Sequence, residues 1–123
     1  MGSARRILDS VDIMIGRAKS DRVSVIVSAV AGVSNALQAA IDGCVAGSAS
    51  PASFVSAIRK THEEICDELH ANVEGFIASD VLKKIEPNFV ELEKLLAGVA
   101  SFGECPASIH CRIMGMGELC CVP

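Results

Sequence analysis

The hydrophobic pattern along the chain switches period several times, and each switch predicts an element. Ala4, Ile7, Leu8, Val11, Met14, Ile15 and Ala18 recur at helical spacing behind Ser3, a capping residue, so a first helix is expected there, weakened near its end by Gly16. "RAKSDR" is a polar exit. "RVSVIVSA", Arg22 to Ala29, then changes to a period of two. Val23, Val25 and Val27 fall on one face, and Ile26 lies on the other between Ser24 and Ser28. Nearly continuous β-branched composition predicts a strand covered on both sides, as in a parallel sheet.

After that strand the helical period returns. Ser34 is the expected N-cap of a second helix whose stripe is Leu37, Ala40, Ile41, Cys44 and Val45. "GSASP" reads as a linker, and Ser50 followed by Pro51 begins a third helix. Phe54, Val55, Ile58, His62, Ile65 and Leu69 mark its buried face; Lys60, Glu63, Glu64, Asp67 and Glu68 point outward. A fourth helical region is expected from about Asp80 to Val99, interrupted or kinked at Pro87, and a last helix opens at Pro106. One strand cannot satisfy its own backbone, so the whole pattern reads as part of a larger α/β domain.

The nineteen uncharged residues from Val23 to Ile41 therefore divide into strand, loop and helix, and five of them are polar. A membrane span needs about 20 predominantly apolar residues, so no membrane role is expected. Composition adds to this picture. The chain has 123 residues, a single-domain length, and half are apolar, yet it has four Phe and neither Trp nor Tyr. Ala, Val, Ile and Leu must build the core. A mean hydropathy of +0.43 in so small a chain predicts apolar surface that a second copy, or a complementing chain, would cover. The net charge of −4, basic residues in scattered pairs and the scarcity of aromatic rings speak against nucleic acid.

No secretory signal precedes "GSARRILDSVD", which points to the cytoplasm. Arg6 breaks the myristoylation pattern that Gly2 begins, and Pro123 ends "CCVP" unlike a prenylation signal. The six cysteines, with no CxxC pair, read as reduced and mostly buried thiols. A zinc set of His110, Cys111, Cys120 and Cys121 fits no common spacing, and "HEEIC" at His62 to Cys66 lacks the second His of HExxH; no metal site is expected.

Two stretches carry candidate chemistry. Ser28 to Asn35 follows a predicted strand and precedes a helix, where ligands bind in open sheets and where helix N–H groups favour an anion. An ordinary capped turn explains the same residues, and without GxxxxGK[ST] or GxGxxG the loop is no standard phosphate cradle. Glu118 in "GMGELCC" is a carboxylate among apolar neighbours. It could meet a ligand's amino group, pair with Arg112, or stand exposed near the chain end.

Together these two stretches resemble the aspartate kinase family. "VIVSAVAGVSNAL" is similar to that family's Ser-Ala-x-x-Gly-x-Thr/Ser-Asn/Asp-x-Leu segment, and "ECPASIHCRIMGMGELCC" to the later helix ending in Gly-Glu-x-x-Ser. The resemblance covers nearly the whole chain, from Gly2 to Val122, so that residues 1–123 would be a partial amino-acid-kinase domain. It implies a three-layer α/β/α fold, mostly helical in this stretch with one clear β-strand. The implied reaction is ATP-dependent, Mg2+-assisted phosphorylation of the L-aspartate side-chain carboxylate to 4-phospho-L-aspartate, in lysine, threonine and methionine biosynthesis. By position, Ser28 and Ser34 would line the aspartate site and Glu118 would hold the substrate's amino group. Ser34 stands where Thr is usual and Cys121 where the family has Ser.

The resemblance also implies what to look for elsewhere. The family's opening Lys-Phe-Gly-Gly-Thr-Ser strand, the rest of its ATP site and its ACT domains have no counterpart in these residues. The expectation is a segment truncated at both ends, with no catalytic residue of its own, inactive alone and poorly soluble as a monomer. The alternative reading is a non-catalytic helical interaction module, or a degenerate remnant, of the same ancestry.

Overall fold

A computed structural model describes residues 3–121. Five helices follow one another: α1 (Ala4–Ala18), α2 (Val33–Ala46), α3 (Pro51–Asn72), α4 (Ala78–Phe102) and α5 (Ala107–Leu119). Serine caps start two of them as the sequence predicts. The Arg6 N–H donates to Ser3 Oγ at 3.4 Å, and the Ser53 N–H donates to Ser50 Oγ at 3.3 Å with Pro51 in the first turn.

The centre of the molecule is α4, which packs against α2, α3 and α5. Its buried positions Ile85, Phe89, Leu92, Leu96 and Val99 keep the three-and-four spacing of one helix face, and they meet Leu37, Ile41, Val55, Ile58 and Ile113 from the neighbours. Pro87 does not interrupt α4, which runs continuously through it. It lies on the exposed side together with Lys83, whose carbonyl loses its usual helical donor where water can replace it. Arg59 of α3 and Glu86 of α4 join the two helices in a two-bond ion pair, and the Arg59 guanidinium lies 4.7 Å from the centre of the Phe89 ring.

The expected α/β architecture is overturned. Among the described residues all regular structure is helical, and Arg22 to Ala29 form no strand. A strand exists through its ladder, and among the described residues no strand or bridge is formed with this segment. None of the N–H groups from Arg22 to Ala29 makes a backbone hydrogen bond among the described residues. The β-branched residues are instead left in water: Val25 is 52% and Ile26 99% exposed. The alternation that predicted a strand here corresponds to a segment without regular structure. No helix among the described residues is long and apolar enough to cross a membrane.

Candidate functional site

The loop that leads into α2 is fixed from below. Ala29, Val30 and Val33 are buried, while Ser28 is exposed and Ser34 half-buried. The Val33 N–H donates to the Val30 carbonyl at 3.0 Å, and Gly32, at φ +87°, turns the chain into the helix. That left-handed geometry favours glycine. Gly32 rather than Ser34 is therefore the N-cap of α2; Ser34 lies in the first turn, and its hydroxyl makes no hydrogen bond within the described chain. Ser28 Oγ reaches only the Ala29 carbonyl, at 3.4 Å.

Onto this loop comes the end of α5. A Cβ built on Gly117 would stand 2.9 Å from Ala29 Cβ, 3.4 Å from Leu37 Cδ1 and 3.6 Å from Val33 Cγ1. Only glycine permits that approach, so the Gly-Glu pair of the later stretch is packed directly on the Ser-Ala stretch almost ninety residues earlier. Cys121 adds to the contact: burial pushes its thiol above the ordinary value, and a hydrogen bond from the Val30 backbone partly offsets this. Glu118 is exposed beside the junction, and among the described residues it has no charged partner. Arg112, the partner considered for it, pairs with Glu91 of α4 instead.

The junction thus brings the two stretches into contact at Gly117, with Ser28, Ser34 and the start of α2 on one side and Glu118 next to the contact on the other. Such a set can accept a small zwitterion, with hydroxyl and N–H groups for carboxylate oxygens and Glu118 for an ammonium. The fit to ATP and Mg2+ is poor. No Lys or Arg occurs from Ser28 to Ala36, the one arginine of α5 is committed to Glu91, and no cluster of metal-binding side chains exists among the described residues.

A second polar feature lies deep in the bundle. His62 is 95% buried on the apolar face of α3, where periodicity places it. Its Nδ1 lies 2.9 Å from the Ile58 carbonyl, which can only accept, so Nδ1 carries the proton and Nε2 of the neutral ring is an acceptor. Nε2 has no partner. An orphaned buried acceptor costs about 1–3 kcal/mol. The ring meets Phe89 edge-on at 5.5 Å and forms part of the wall of a cavity of about 210 Å3.

The other histidines and cysteines form no metal centre among the described residues. His110 pairs with Gln38 at 2.8 Å, His70 with the Phe76 carbonyl at 2.6 Å, Cys111 is exposed, and Cys44, Cys66 and Cys120 are buried as free thiols. Burial pushes the Cys120 thiol up to about 11. Sequence reasoning did not find the Arg59–Glu86 pair or the orphaned imidazole nitrogen; both depend on which turn of α3 faces which turn of α4, and that needs the packing. No protein-family model matches the chain.

Proposed function

We propose that this chain is an aspartate-kinase-like amino-acid-binding segment, in which Ser28, Ser34 and the first turn of α2 receive the carboxylates of L-aspartate and Glu118 receives its ammonium group. The observation that supports this most is the seating of Gly117 on Ala29, Val33 and Leu37, which brings together the two stretches carrying the family resemblance. Phosphoryl transfer to the aspartate side chain needs cationic groups and Mg2+ ligands that these residues do not supply. In this reading they belong to a complementing chain, and the present chain contributes binding and orientation. A cytoplasmic setting suits its reduced thiols.

Calorimetric titration with L-aspartate and with succinate, which has the two carboxylates but no amino group, tests the reading. L-aspartate should bind more tightly, and Glu118→Gln should weaken it by about 10- to 100-fold, the range of a charge-assisted bond, while leaving succinate unchanged. Equal binding of the two ligands by the unmodified chain would sink the role of Glu118. With ATP and Mg2+ added, no aspartate-dependent ADP release is expected from this chain by itself.

A second reading, a helical interaction module without substrate, is favoured by one observation: Val23, Val25 and Ile26 stand exposed on a backbone with open hydrogen-bonding groups. Failure to bind either ligand, together with concentration-dependent association, would favour it.

A further inference from the structure

The segment from Ser24 to Ser28 reads Ser-Val-Ile-Val-Ser, the same in either direction. Its backbone is open: from Val23 to Ser28 no N–H or carbonyl takes part in a backbone hydrogen bond among the described residues. Exposure alternates along it. Val25 is half exposed, Val27 half-buried and Ala29 buried, whereas Ile26 among them is 99% exposed. The valine side is thus the better covered, and Ile26 stands out in water. Val25 and Val27 share a mainly apolar groove of about 320 Å3 with Ile13 and Met14 of α1.

We infer that this segment is the docking site for a second copy of the chain, the two segments pairing antiparallel about a two-fold axis at Ile26. The register follows from the palindrome. Ile26 faces its counterpart, Ser24 of each chain faces Ser28 of the other, and Val25 faces Val27, so each residue meets its own kind. A shift of one or two residues either way sets a serine against a valine or an isoleucine. A two-fold contact must be self-complementary in this sense, and cross-strand pairs of β-branched side chains are what stabilise it. Charge agrees with the register: Val23 to Ser28 carries none, Arg22 comes opposite Val30, and Asp21 opposite Ala31. Two paired strands alone are marginal in water and need a helix to pack on. The groove of Ile13 and Met14 supplies that support in each copy. One short strand and part of one helix make a small interface, of the weak and reversible class. The inference rests on the interaction-module reading, to which it gives a partner and a register.

Sedimentation equilibrium of the full chain, from micromolar to millimolar concentration, gives the dimer dissociation constant. The unmodified chain should fit a monomer–dimer equilibrium, and Ile26→Lys, which sets two ammonium groups on the axis, should weaken it by about 10-fold or more. Two double variants test the register. Ser24→Lys with Ser28→Glu sets opposite charges against each other twice across the axis; Ser24→Lys with Ser28→Lys sets like charges there. The first should dimerise at least about 10-fold more tightly than the second. Net charge works in the opposite direction, since the second variant brings the acidic chain nearer to neutrality. On the unmodified chain, amide exchange from Val23 to Ser28 should slow as concentration rises, a readout that needs no variant to fold. Equal weakening by both double variants would overturn the antiparallel register, because parallel pairing sets like charges together in each. Association untouched by every variant, or amide exchange that never slows, would overturn the inference and leave the interaction-module reading standing. A monomer at millimolar concentration would overturn both.

Discussion

The helices α4 and α1 present the same kind of sequence pattern and end in opposite circumstances. Both carry apolar residues at helical spacing. On α4 those residues are enclosed by three neighbouring helices, and Leu96 retains no exposed surface. On α1 only Ala4 is buried; Ile13 and Ile15 are 68% and 55% exposed, and the helix touches no other helix than α3. Just beyond α1 comes the uncovered segment from Arg22 to Ala29, which has no regular structure. An amphipathic pattern shows which face seeks cover. Whether the cover exists is a property of the rest of the fold, and here the N-terminal region lacks it.

The contrast can be tested by matched substitutions. Leu96→Ala should lower unfolding free energy by about 2–5 kcal/mol, as transfer and cavity terms add, whereas Ile13→Ala should stay within about 0.5 kcal/mol. Comparable losses in urea melts would mean that α1 is docked more firmly than its exposure indicates. The glycines offer a second pair. Gly117→Ala forces a methyl against Ala29 and should cost about 1–3 kcal/mol while weakening L-aspartate binding. Gly16→Ala on α1 meets nothing within 4 Å and should raise helicity, by about 0.5–1 kcal/mol of local stability. Circular dichroism and calorimetry read both.

The smallest effect belongs to the ion pair. The hydrogen-bonded Arg59 guanidinium holds the Glu86 carboxyl below its usual range, although burial works against this. A carboxylate lowered in the folded state stabilises above its unfolded value of about 4.3, and that stabilisation disappears as pH falls through the folded value. Glu86 is nearly half exposed, so Glu86→Gln should cost under about 1 kcal/mol at neutral pH and nothing in strong acid. A loss that persists at pH 2 would assign the effect to packing rather than charge.

The helices were the legible part of the sequence. Ser3 and Ser50 cap where expected, the buried stripe of α3 includes His62, and Gly32 and Gly117 lie inside the two stretches singled out for chemistry. Local rules suffice there, because a helix closes its own hydrogen bonds. The strand at Arg22 to Ala29 failed for the complementary reason: its bonds belong to another segment, and a period of two shows alternation without showing the neighbour. Ser34 failed as a cap because a glycine with positive φ two residues earlier had already begun the helix. At the candidate site the residues could be named in advance. Their surroundings could not, since Glu118 had three possible environments and the pairing of Arg112 with Glu91 was decided by the crossing of α5 over α4.

The open backbone from Arg22 to Ala29 makes the behaviour of this chain depend on how much of it is present. Closing the helical bundle is a first-order event with the same rate at any dilution. Pairing two extended segments is second order and rises with the square of the chain concentration. The segment from Val23 to Ser28 has no charge, proline or glycine to oppose such pairing. Dilution therefore protects the lone bundle, while crowding works against it.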